Sequence, residues 1–101
     1  MSSIAITFAE SALADLEDSR TWYREQGVSE VGTGLVLEVF ERVAALGDHP
    51  EMGRIVPEFD QPFLRELIHS PFGIVYRHDA LRVRVIRIWR SERLLHLPPQ
   101  Q

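Results

Sequence analysis

The apolar positions of this chain change period along its length, and each change predicts an element. Ile4, Ile6 and Phe8 alternate with Ala5 and Thr7, the two-residue period of a short strand with one apolar face. From about Ala9 to Gln26 the period lengthens. Ala9, Leu13, Leu16, Arg20 and Tyr23 fall near one helical stripe flanked by Ala12 and Ser19, with acids early, where the helix dipole favours them. Gly27 stops that helix. A second helix runs from about Ser29 to Leu46, with Gly32, Leu35, Val36, Val39, Phe40, Val43 and Leu46 at three- and four-residue spacing, and ends at Gly47 and His49-Pro50. The two helices make an antiparallel hairpin.

Residues 47–62 carry Pro50, Gly53, Pro57 and Pro62, too many breakers for a regular element, so they read as a connecting loop with room for short turns. Strands follow at Phe63–Ile68, Gly73–His78 and Arg82–Arg90, divided by Ser70-Pro71 and Asp79-Ala80, which suits an antiparallel meander. In the last strand the parity slips: Val83 and Val85 share one face, Ile86 and Ile88 the other. Either both faces are partly buried or a bulge near Val85-Ile86 resets the register. The expected fold is two-layer α+β, β-α-α-β-β-β, with the C-terminal meander packed against the helical hairpin, since each layer is the only cover for the other. At 101 residues the chain makes one domain burying about 65% of its unfolded surface. Its expected extent is 1–97, with Pro98-Pro99-Gln100-Gln101 as a loose tail.

Composition removes several classes. There is no cysteine, hence no disulfide and no thiolate metal site, and the cytoplasm is the expected compartment. The N-terminus has no basic region followed by an apolar core, and no run approaches the ~20 apolar residues of a membrane span, so no membrane association is expected. All eleven basic residues are Arg, so no lysine is available for chemistry. Charge is segregated: residues 1–60 hold four Arg against twelve Asp and Glu, net −8, and residues 61–101 hold seven Arg against three, net +4. The basic end is the natural place for an anionic ligand or acidic peptide.

Within that end, Arg87, Arg90 and Arg93 stand at three-residue intervals beside Trp89, which offers a cationic surface with an aromatic anchor. Arg65 is either a partner of a nearby acid or a functional base, and Tyr76 reads as a core residue with its hydroxyl at the sheet edge. Trp22 and Tyr23 read as packing residues, with Trp22 also placed for a partner groove. The histidines His49, His69, His78 and His96 show no paired spacing, so no metal is expected. No nucleotide loop or nucleophile elbow appears, and no cofactor is expected.

Five segments in this order carry a resemblance: Ala12-Leu13-Ala14-Asp15-Leu16, the run from His49 to Glu58, Arg65-Glu66-Leu67, Ile74-Val75-Tyr76-Arg77 and the run from Ile88 to Leu95. Together they resemble the RelE/ParE superfamily of bacterial type II toxins, and the ending from Arg90 to Leu95 is similar to a ParE-like subgroup. The resemblance implies a toxin neutralised by a cognate antitoxin, with one of two actions. ParE-like members poison DNA gyrase by binding. RelE-like members cut messenger RNA on the ribosome, which needs a base, an acid and cationic donors for the developing charge.

The RelE-like pattern has an Arg within aromatic-Arg-Ile-Val-Tyr, where this chain reads Phe72-Gly73-Ile74-Val75-Tyr76, so the phosphate-holding arginine is replaced by Gly73. Near the end of the last strand, where several nucleases carry His, stands Arg90, a poor proton shuttle. The net charge of −4 also suits ribosomal RNA badly. The expectation is therefore a gyrase-binding toxin with no direct sequence-specific DNA contact of its own. The alternatives are a ribosome-dependent nuclease using Arg65, Tyr76, Arg87 and Arg90, and a non-toxic binding module or co-repressor acting with the antitoxin. Target binding is expected at Arg65, Arg87, Trp89, Arg90 and Arg93. Antitoxin binding is expected at Trp22, Arg82, Arg84, Ile86 and Ile88, where one sheet face would stand uncovered.

Overall fold

The predicted hairpin is present as α1 (Glu10–Glu25) and α2 (Ser29–Ala45), preceded by strand β1 (Ala5–Phe8). This is a computed structural model, and it describes residues 4–58 and 61–90. Gly27 makes the turn between the helices at φ 79°, a left-handed conformation that a side chain disfavours, and the Val28 N–H closes the helix end on the Tyr23 carbonyl at 2.9 Å. Four further strands follow: β2 (Arg54–Ile55), β3 (Leu64–His69), β4 (Phe72–His78) and β5 (Arg82–Arg90). Strand β2 was not expected. Its two residues, set between Gly53 and Pro57, are too short for periodicity to show, and only pairing with Arg65 and Glu66 of β3 makes them a strand.

The sheet order is β1-β5-β4-β3-β2. The meander is antiparallel, and β1 joins it parallel to β5, Ala5 beside Arg82 and Phe8 beside Val85. The parity slip in β5 is a bulge. Tyr76 of β4 faces Val85 while Val75 faces Arg87, so Ile86 is the extra residue. The bulge puts Val83, Val85 and Ile88 on the same side, in a core with Leu67, Phe72, Ile74 and Tyr76 from the sheet and Ala12, Leu16, Val39, Val43 and Leu46 from the helical layer. Ile4, Ile6 and Phe8 pack against it, as their alternation predicts.

Beyond Val85, among the described residues, no strand follows β1 along the edge of β5, and α1 takes its place. The Ala9 N–H donates to the Val85 carbonyl at 2.8 Å, the Ser11 hydroxyl to the Ile86 carbonyl at 2.6 Å, and the Ile88 N–H to Asp15 Oδ2 at 2.8 Å. Ser11 and Asp15 are four apart and therefore share a helix face, so one face serves successive groups of a strand edge that would otherwise stay unpaired.

Candidate functional site

The helix-free face of the sheet is built from alternate residues of β3, β4 and β5. Register sets Glu66 beside Val75 and Val75 beside Arg87, Ile68 beside Gly73 and Gly73 beside Trp89, Leu64 beside Arg77 and Arg77 beside Arg84. Trp89 lies across Gly73. Its indole N–H donates to Glu66 Oε2 at 3.1 Å, and the other carboxylate oxygen accepts from Arg54 at 2.8 Å. A Cβ at position 73 would stand 2.6 Å from the indole nitrogen and 2.8 Å from Glu66 Oε2, so glycine is what admits the ring. Glu66 is 7% exposed beneath this cover and Trp89 is 45% exposed. The centre of the face is therefore an aromatic surface over a buried, satisfied carboxylate.

At the edge, Arg87 grips Asp15 through two hydrogen bonds of 2.8 and 3.1 Å, and that hydrogen bonding and charge hold its guanidinium above its ordinary pKa. At the far end of the sheet, Arg77, Arg82 and Arg84 line a cavity of about 510 Å³ with Phe63, His78 and Asp79. Asp79 accepts the backbone N–H groups of Leu81 and Arg82 at 2.8 and 3.0 Å, and those bonds keep its carboxyl below the usual carboxylate range.

Several expected site residues stand elsewhere. Arg65 points to the helix side and donates to the carbonyls of Glu51 and Gly53 at 3.2 and 2.9 Å. Its cross-strand neighbour Tyr76 donates to the Pro50 carbonyl at 2.7 Å and accepts the Gly53 N–H at 2.9 Å, and burial raises its pKa. The two clamp the loop after α2. Arg90, 3% exposed, lies 3.8 Å over the Trp22 ring and 5.4 Å from that of Tyr23. It bears on α1, because the bulge has turned it inward. Ile88 is 2% exposed for the same reason and offers no surface to a partner, while Ile86 is half-buried. Trp22 is half-buried beneath Arg90, and Arg82 and Arg84 are exposed. Arg93, His96 and the tail 98–101 lie outside the described residues. The four residues of the nuclease alternative do not converge: Arg65 and Tyr76 hold a loop, Arg90 a helix and Arg87 the strand edge.

The sequence reading missed Glu66 and Arg54 as the support of Trp89, and Asp15 as the holder of Arg87. Glu66 left a signal, an acid between Leu64 and Ile68 on one strand face. Asp15 left none, since only the docking of α1 aims it at β5. Among the described residues no group of three or more His, Asp or Glu is placed to hold a metal, and no helix is long and apolar enough to cross a membrane.

A strand and helical hairpin ahead of an antiparallel meander, with the first strand parallel to the last, is the architecture of a RelE/ParE-superfamily domain. A family model described as the ParE toxin of the type II toxin–antitoxin system parDE matches residues 6–95, and the chain belongs to that family. A solved structure described as the chromosomal ParDE TA system from P. aeruginosa shares its fold, with a TM-score of 0.73 and 23% identity over 87% of this chain and 96% of that one. No curated protein matches the chain.

Proposed function

We propose that this type II toxin acts by binding DNA gyrase, without covalent chemistry of its own, and that a cognate antitoxin neutralises it in the cytoplasm. The observation that carries the reading is position 73. Where a nuclease of this superfamily would be expected to hold the scissile phosphate with arginine, Trp89 fills the space and Glu66 sets a carboxylate beneath it. Arg54 is spent on that carboxylate and the indole covers it, so among the described residues no free cation stands there for a phosphate and its developing transition-state charge. An exposed tryptophan flanked by Ile68, itself 53% exposed, is instead suited to anchor a protein surface.

The antitoxin reading is supported by apolar side chains that folding leaves uncovered, Leu37 at 58% and Phe40 at 41% on α2. A partner segment that folds on binding gains by covering them. The test is induction of the chain without antitoxin in a bacterial host, following labelled thymidine and methionine over the first minutes, with supercoiling by purified gyrase in parallel. DNA synthesis should fail first and supercoiling should stop. Earlier loss of translation, with cleaved ribosome-bound RNA, would replace this reading by the nuclease.

A further inference from the structure

Three arginines meet at the β4–β5 end of the sheet in a way that costs the fold something. Arg77 and Arg84 are direct cross-strand neighbours, and Arg82 lies two residues from Arg84 on the same strand face. Like charges placed opposite one another destabilise a sheet. Among the described residues, none of the three forms a salt bridge. Arg84 has a long 3.4 Å contact with the Thr7 hydroxyl, and Arg77 lies 5.2 Å over the Phe63 ring. Asp79, the one acid lining the cavity among the described residues, already accepts two backbone N–H groups. His78 lines the same cavity, and its Nε2 is buried without a hydrogen-bond partner.

A local rule broken with only partial internal compensation marks a site whose remaining compensation arrives from outside. Among the described residues, three guanidinium groups against one carboxylate leave a net charge of +2 in the cavity. A carboxylate of a peptide supplies one negative charge, and a phosphate monoester about −1.5 to −2 with three acceptor oxygens, a closer match to forked donors. Phe63, 41% exposed, presents an aromatic face beside those charges. We infer that the Arg77–Arg82–Arg84 cavity binds a phosphate monoester carried on an aromatic group, the chemistry of a nucleoside monophosphate. The guanidinium groups take the phosphate, and Phe63 takes the base by stacking. This site lies apart from Trp89, at the other end of the β4–β5 pair.

The test is calorimetric titration of the purified chain at fixed ionic strength with adenosine 5′-monophosphate, inorganic phosphate, adenosine and a short polyglutamate peptide, together with thermal melts. The nucleotide should bind about tenfold tighter than inorganic phosphate, with adenosine and the peptide silent. Arg84→Gln should weaken both phosphate ligands by about tenfold or more while melting no lower than wild type, because it relieves repulsion. Arg82→Gln should do the same, and Phe63→Leu should remove only the preference for the nucleotide. Polyglutamate binding as tightly as the nucleotide would assign the cavity to an acidic protein and overturn the inference. So would a phosphate effect that chloride reproduces, or equal affinity for phosphate and nucleotide.

Discussion

Two clusters of charge share one face of the sheet and are treated in opposite ways. At its centre Glu66 and Arg54 neutralise each other beneath an indole, and at the edge Arg87 is neutralised by Asp15. At its end, Arg77, Arg82 and Arg84 share one acid, Asp79, and among the described residues none of the three forms a salt bridge. Arg82, Arg84 and Arg87 of β5 look alike in sequence, each standing between apolar residues. The difference teaches that a run of arginines measures potential cationic surface, and only the elements docked beside it decide how much survives. Here α1 and β2 remove the charge of the centre and edge and leave that of the end.

The sharpest way to break this contrast is Gly73→Arg. The new side chain must displace Trp89 from Glu66, and overpacking of this kind costs about 1–3 kcal/mol. Urea unfolding should show that loss, with Trp89 more exposed by fluorescence quenching. An unchanged midpoint would mean the indole moves aside freely. Next is Asp15→Ala, which strands the Ile88 N–H as well as Arg87 and should cost about 1–2 kcal/mol. Arg87→Ala, removing only a half-exposed ion-pair partner, should cost less than about 1 kcal/mol. Equal costs would show that the ion pair, and not the strand edge, is what Asp15 serves. At the end of the sheet the sign reverses: Arg77→Gln should raise stability by about 0.2–0.5 kcal/mol at low salt, a gain that fades as salt screens the repulsion.

The smallest effect concerns pH. Asp79 has a folded pKa below its ordinary 3.8, because two backbone N–H groups favour the carboxylate. Its contribution is therefore complete above that ordinary value and is lost as pH falls through the lowered one. Melting curves of wild type and Asp79→Ala should differ at pH 6 and converge in strong acid. A difference that persists there would assign the turn to another group.

The order of helices and meander strands, their bounds to within a residue or two and the bulge as one of two options followed from the sequence itself. Periods of 2.0 and 3.6 are local properties, and Gly27, Pro50 and Ser70-Pro71 punctuate them locally. Gly73 was also legible as a departure from the nuclease pattern. What filled its place was not, because Trp89 is sixteen residues on and meets it only through the β4–β5 register. Tertiary structure alone decided that β1 lies parallel to β5, that the two-residue β2 exists, and that Ile88 and Arg90 turn inward while Trp89 stays out. It also decided that Arg65 and Tyr76 hold a loop. Each of these depends on which partner a backbone or side chain meets across a long stretch of chain, and a pattern along the chain carries no information about such partners until strands pair and α1 docks.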